Sequence, residues 1–397
     1  MQGILEQLRQ VFRPHVGWYG VLAAVGLTAL GVAAIDTVDP GSAARQARFW
    51  LPVAFLAMAA AMLPHPRWIG EVTYPAALAI LLLLVFVILP FAPRALVPVR
   101  NGATCWIDLG PVSLQPAELA KIAFVLALAR YFRYRDSYRT LRGLLVPFVI
   151  MFIPVGLLLK QPDLGTALLF APTLMAMLVA AGAKLRHLSA LVAIGIVAIG
   201  VNVAIVYYDA PDWMHVLKPH QEARIAAMIW PEKHRQDDAY QQRLAVTLVA
   251  TGGTEGLGAD YAGTVLKYNY LPEAHNDMIF AVISARWGLA GAAAVLGMYL
   301  VLGSSFVLAA ARSKDPFARL ACVGFGAILF VQAAINIGVT LGLMPLTGIT
   351  LPFISYGGSS LLSSFIMLGL MLNFASRRPA PLTRPSFEFD QPGAVAS

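Results

Sequence analysis

Charge is what this chain has least of. Of its 397 residues only 13% are Asp, Glu, Lys or Arg, against about 25% in a soluble protein. Hydrophobic residues make up 58%, and the mean hydropathy is +0.70. A deficit spread along the whole length excludes an ordinary soluble domain and points to a polytopic membrane protein. Cysteine is nearly absent too. The two present, Cys105 in a loop and Cys322 inside an apolar run, exclude a cysteine metal cluster and argue against a disulfide. Strict apolar–polar alternation is missing, which argues against a transmembrane barrel. No internal repeat is visible, which weighs against inverted-repeat transporters. No small-residue cleavage site follows the first apolar run behind Arg9 and Arg13, so that run reads as an uncleaved helix. The net charge of +8 is read as Lys and Arg at a membrane surface, with no nucleic-acid partner expected.

What is present is a series of ten apolar runs, near 16–35, 49–63, 74–92, 117–132, 143–159, 164–182, 187–207, 278–310, 318–344 and 352–375. Each is read as a helix, because helices satisfy their backbone groups within lipid. The fold class expected is therefore all-α: an integral membrane protein of about ten transmembrane helices. The second run is short, and 278–310 is long enough for a tilted or extended helix. Residues 1–377 form one transmembrane domain, and the Pro-rich segment 378–397 reads as a disordered cytoplasmic tail.

Lys and Arg set the orientation. The 130–142 loop holds Arg130, Arg133, Arg135, Arg139 and Arg142. Placing it inside puts both termini in the cytoplasm, with 16 basic residues inside and 11 outside. Six of those outside fall in the one long loop, 208–277, where the rule carries little weight. That loop is expected outside. Its stretch 239–251 reads as a short interfacial helix ending at Gly252-Gly253.

Four polar segments stand at borders of apolar runs. Leu271-Pro-Glu-Ala-His-Asn-Asp277 holds Glu273, His275 and Asp277 within five positions. The group is either a membrane-surface anchor or a reactive site. Glu273 and Asp277 share a face if the segment is helical. Asp277, last before the apolar run, would have its pKa raised by partial burial and would suit a general base on a sugar hydroxyl. Gln115-Pro-Ala-Glu-Leu-Ala-Lys121 opens the fourth run, with Glu118 and Lys121 on one face. It is either a capped helix start with an internal ion pair or a cavity wall, since a lysine within a membrane helix needs a partner. Lys160-Gln-Pro-Asp163 starts the sixth run, where capping alone would explain Asp163. Both starts lie on the outer side, and their amide ends would favour an anion such as a diphosphate. Leu351-Pro-Phe-Ile-Ser-Tyr-Gly-Gly-Ser-Ser360, with Ser355 and Ser359, either packs between helices or adds to the site.

Together these segments resemble the SEDS family, the RodA/FtsW polymerases of bacterial cell-wall synthesis. The resemblance rests on Trp106-Ile-Asp-Leu-Gly110, Gln115–Lys121, Gln161-Pro-Asp-Leu-Gly-Thr166, Leu271–Asp277, Asn336-Ile-Gly338, Gly342-Leu-Met-Pro345 and Leu351–Leu362, in the family's order across nearly the whole chain. It implies a peptidoglycan glycosyltransferase that polymerises lipid II and releases undecaprenyl diphosphate. The family's essential loop aspartate falls on Asp277. Lys121, Glu118 and Arg48 would line the central cavity, with Lys121 the diphosphate partner. Asp163, Glu273, His275, Ser355 and Ser359 complete the expected substrate-binding set. No cofactor is required by any motif, although a divalent cation, Mg or Mn, would suit the leaving group. A class B penicillin-binding protein, a transpeptidase, is the expected partner, packed on the eighth and ninth runs and the outer loop.

The chain departs from the family at Asn276-Asp277-Met278, where Thr-Asp-Phe is usual, at Ala285-Arg286 in place of an acidic pair, and at Ala250-Thr-Gly-Gly253. The short tails and Lys160-Gln-Pro-Asp163 lean toward the RodA type. Two other classes compete with the enzyme: a lipid II flippase, which needs no outer base, and a non-catalytic scaffold.

Overall fold

The computed structural model describes residues 15–376 except 101–102, 111, 136, 209–210, 212–218, 231–237, 269–270 and 272. The expected disordered tail and the anchors Arg9 and Arg13 lie outside the described residues. The regular structure of the described residues is helical apart from one hairpin of two-residue strands and an isolated bridge between Arg100 and Ala103. Chain order runs α1 Gly17–Val38, α2 Pro40–Arg45, a π-helical turn Gln46–Trp50, α3 Leu51–Met62, α4 Pro66–Ile88, β1 Ile107–Asp108, β2 Ser113–Leu114, α5 Pro116–Tyr134, α6 Leu145–Lys160, α7 Leu164–Ala181 and α8 Leu185–Tyr207. Within the long loop follow α9 Pro219–Ile229, α10 Asp238–Gly252 and α11 Ala259–Tyr268, and then α12 Ile279–Arg312, α13 Pro316–Thr340 and α14 Gly358–Ser376.

Eight of these helices are long and apolar enough to cross a membrane. The two other expected runs are helical as well. Run 49–63 is divided by the π-helical turn, leaving α3 with 12 residues. Run 117–132 is α5, whose Glu118, Lys121, Arg130 and Arg133 make it too charged to meet the same standard.

Local signals explain where the helices start. Pro116 and Pro66 sit at the first turn, where a missing N–H is harmless. Asp163 and Asp315 accept hydrogen bonds from Thr166 N and Phe317 N and so cap α7 and α13. The buried centre is α13 and α14, with 67% and 78% of their spans inside the protein, whereas only 6% of α8 is. Lipid is as apolar as leucine, so helices associate through close packing rather than through hydrophobic burial. Gly324 of α13 illustrates this: a methyl there would stand 2.8 Å from the Met177 sulfur of α7.

Helix α12 corrects the sequence reading. The 34 residues do not form one tilted helix, because Gly288 adopts φ 61° and ψ −150° and breaks them in two. The loop 253–258 enters the break. Leu257 N and Gly258 N donate to the carbonyls of Ala285 and Arg286, at 2.8 and 3.1 Å, and Leu289 N donates to Gly253 O at 2.9 Å. The loop thus satisfies backbone groups that would otherwise be left unpaired inside a membrane protein. Helix α10 confirms a helix where 239–251 was expected to be interfacial, and its buried Ala245 and Leu248 belong to the protein core. Arg286, left without a role by sequence, reaches α1: its Nη1 donates to Ala33 O at 2.6 Å and Thr37 Oγ1 at 2.7 Å. It thereby serves the carbonyl end of that helix.

Candidate active site

Residues 273–278 form a run of turns, not the helix on which Glu273 and Asp277 would have shared a face. Glu273 takes φ 50°, which breaks helical continuation. Leu271, Ala274 and Met278 are buried and anchor the segment. Three consecutive carbonyls are then held from the facing loop and helix. Tyr356 N donates to His275 O at 2.9 Å, Ser355 Oγ to Asn276 O at 2.6 Å, and Asn336 Nδ2 to Asp277 O at 2.7 Å. Ser355 also accepts from Leu351 N at 2.7 Å, so one hydroxyl ties both loops together.

The backbone of Asp277 is therefore fixed while its side chain is left over. Among the described residues nothing hydrogen-bonds its carboxylate, and Gly348 opposite leaves room, since even a methyl there would stand 3.6 Å from Oδ2. Asp277 is half-buried. Burial, then the nearby Glu273 charge, push its carboxyl up from the ordinary 3.8 to about 7, while Arg224 of α9 pulls the other way. An acid with that pKa is part-deprotonated at neutral pH and basic enough to take a hydroxyl proton. Glu273 itself is exposed and accepts from Asn276 Nδ2. The His275 ring lies 5.7 Å from that of Tyr356.

A second cluster lies under the starts of α5 and α7. Lys121, only 1% exposed, donates to Glu118 Oε2 and to Gln332 Oε1, each at 2.8 Å. Glu118 also accepts from Ser363 Oγ at 2.5 Å. The cation is balanced within the protein, as a buried membrane charge must be. Gln115 joins the helix starts: its side chain donates to Asp163 Oδ2 at 3.3 Å, and its N–H donates to Ser359 Oγ at 3.1 Å. Burial pushes the Asp163 carboxyl up against the opposing pull of its Thr166 hydrogen bonds. The Cys105 thiol donates to Gln161 O at 3.1 Å, and burial pushes it up to about 12, so it is an inert packed thiol.

The clusters are joined by residues that sequence reading passed over. Gln332 binds Lys121 and, through Nε2, Thr350 O at 2.9 Å. Asn336, one turn on, binds Ile349 O and Asp277 O, each at 2.7 Å. Two amides four residues apart on one face of α13 thus pin the strip 349–350 between the ion pair and the aspartate. Thr350 Oγ1 meets Ser360 Oγ at 2.7 Å and extends the chain toward α14. Sequence reading had Asn336 only as part of a motif, and Gln332 and Arg224 not at all. A polar residue inside an apolar run, as Gln332 is, was the available signal.

Arg48 stands apart. It lies exposed on the π-helical turn, with no carboxylate within ion-pair distance among the described residues. The turn is fixed by buried Gln46, whose Nε2 donates to Ser355 O at 3.3 Å. Among the described residues no group of three His, Cys, Asp or Glu gathers to hold a metal ion.

The fold and this site define a polytopic membrane protein with a positioned, unpaired carboxylate at one end of the helix bundle. The chain belongs to the cell cycle protein family of FtsW, RodA and SpoVE, whose model matches residues 10–379. It is 33% identical to the "Probable peptidoglycan glycosyltransferase FtsW" of Alkalilimnicola ehrlichii, over 92% of this chain and 90% of that one. It is 32% identical to the "Peptidoglycan glycosyltransferase MrdB" of Escherichia coli K12, over 75% of this chain and 77% of the relative. Among solved structures it is similar to a chain of a peptidoglycan synthase complex that coordinates polymerization and crosslinking, with TM-score 0.73, 32% identity and coverage of 90% and 97%. It is also similar to the rod shape determining protein RodA of Thermus thermophilus, with TM-score 0.65, 29% identity and coverage of 90% and 96%.

Proposed function

We propose that this chain is a peptidoglycan glycosyltransferase that polymerises lipid II in the cytoplasmic membrane, in the service of cell shape. The observation that carries the reading is Asp277: backbone held at three carbonyls, carboxylate unpaired, pKa pushed up to about 7. The 4-hydroxyl of the acceptor sugar gives its proton to Asp277 and attacks the anomeric carbon of the glycan donor. The bond to the diphosphate breaks with its electron pair, and undecaprenyl diphosphate leaves. One displacement converts the α linkage of the donor into a β-1,4 bond. The leaving diphosphate needs positive charge. Lys121 meets it only by exchanging Glu118 for it, and Asp163 already caps α7, so exposed Arg48 and the amide end of α5 are the readier partners. A divalent cation fits the same chemistry, because Mg²⁺ uses one or two carboxylates together with substrate phosphates. Exposed Glu273 would hold it, leaving Asp277 free as the base, and it would neutralise charge on the diphosphate.

The site faces the periplasm and both termini face the cytoplasm, in keeping with the five arginines of the 130–142 loop. A class B penicillin-binding protein packs on α12, α13 and the outer loop. The exposed row Leu289, Leu296, Leu300 and Val307 along α12 offers it an apolar face. The test is purified protein with labelled lipid II, with and without the transpeptidase. Glycan ladders are expected. Their absence under every condition, with lipid II moved across vesicles instead, would establish the flippase.

A further inference from the structure

At the other end of α5, twelve residues and about 18 Å from Glu118, a cavity of about 760 Å³ opens between α4, α5 and the start of α6. It is lined by Arg130, Arg135 and Arg142, by Tyr74, Tyr131 and Tyr134, and by Ser137, Thr140, Gly143 and Val146. None of these described residues carries a carboxylate. The Arg130 guanidinium stacks 4.8 Å from the Tyr74 ring centre, and its Nη1 is buried without a hydrogen-bond partner among the described residues. A buried, unpaired guanidinium nitrogen is costly unless an anion completes it. The 3₁₀ turn Arg142–Leu144, leading into the first turn of α6 at Leu145, adds the positive end of a helix dipole. The volume falls within the usual range for small-molecule sites, about 300–1,000 Å³.

We infer that this cavity binds the phosphate of an anionic phospholipid headgroup. The walls distinguish a lipid from free phosphate. From Tyr74 the same face of α4 continues through exposed Leu78 and Leu82. From Val146 the same face of α6 continues through exposed Val149 and Ile153. These two apolar tracks run from the arginines toward the membrane centre, where acyl chains lie. Exposed Tyr74 and Tyr134 in its lining suit the headgroup level, and basic pockets between membrane helices hold such headgroups elsewhere. The cavity belongs to the face opposite Asp277, so it is separate from the polymerising chemistry.

The test is native mass spectrometry of the full-length protein titrated with phosphatidylglycerol, phosphatidylcholine or inorganic phosphate. Wild type is expected to retain phosphatidylglycerol selectively, with inorganic phosphate displacing it only weakly. Each arginine charge near a membrane surface contributes about fivefold, so Arg135→Gln with Arg142→Gln should weaken retention about thirtyfold. Both residues are exposed, so this pair leaves the fold intact and the half-buried Arg130 in place. Arg94→Gln, exposed and outside the cavity, should change nothing. Equal retention by wild type and the double variant would overturn the site. Retention of inorganic phosphate as strong as that of phosphatidylglycerol would overturn its assignment to a lipid.

Discussion

Replacing Asp277 by Asn separates the catalytic reading from a structural one, because the two move stability in opposite directions. The carboxyl is pushed from 3.8 to about 7, mainly by burial. Three pKa units correspond to at most about 4 kcal/mol, less for a side chain that water still reaches. The folded state holds this proton more tightly than the unfolded chain. Asp277 therefore contributes stability that is full below pH 3.8 and is lost as pH rises through about 7. Asn cannot ionise and matches the carboxyl in shape, and the three carbonyl contacts need no side chain. At pH 8 the variant should be more stable than wild type by up to that amount, and so unfold at a higher temperature, with the gap narrowing as pH falls toward 3.8. Polymerisation should fall by 10²–10⁴, the usual range for a lost general base. Wild-type kcat/KM should rise about tenfold per pH unit to a plateau above pH 7, leaving about 1% at pH 5. The assays are gel-resolved glycan from labelled lipid II, from pH 5 to 8, and thermal unfolding in detergent, from pH 4 to 8. A variant that loses activity because it is less stable, or a flat wild-type profile, would refute the base.

Three other substitutions probe what surrounds it. Lys121→Met alone leaves Glu118 buried without its cation and should cost about 3–5 kcal/mol, whereas Lys121→Met with Glu118→Gln should recover most of the lost melting temperature; equal losses would mean the ion pair is not the reason. Gly288→Ala forces a side chain into φ 61°, with its methyl 2.7 Å from Thr254 O, and should cost at least about 1–3 kcal/mol, detected as faster proteolysis of the 253–258 loop. Asn336→Leu removes the donor to the Asp277 and Ile349 carbonyls; kcat should drop about tenfold or more while KM stays near wild type, and a change confined to KM would mean that it binds substrate rather than positions the base.

The helix starts were readable because their causes are local. Pro116, Asp163 and Asp315 each act within one turn of themselves, and the apolar runs need no long-range information to be helices in lipid. Asp277 was readable as a candidate because a carboxylate at an apolar border is either a surface anchor or a reactive group. The break in α12 was not. Gly288 in Arg286-Trp-Gly-Leu-Ala-Gly291 looks like any small residue in a membrane helix, and what makes it a break is a loop thirty residues earlier whose amides replace the lost helical ones.

The same limit hid the residues that make the site one unit. Lys121 needed a partner, and Glu118 three positions before it looked sufficient. Its second partner is Gln332, 211 positions away. No periodicity encodes that pairing. Once Gln332 is placed, the helical repeat makes Asn336 its neighbour on α13, and the strip 349–350 is gripped at two successive carbonyls. A shift of the Lys121 ion pair would pull on Gln332, and through Thr350 and Ile349 on the amide that holds Asp277. Coupling between the starts of α5 and α7 and Asp277 therefore has a physical route of hydrogen bonds within one turn of one helix. That is why Asn336, which touches neither the carboxylate nor Lys121, is the residue whose loss should separate rate from affinity.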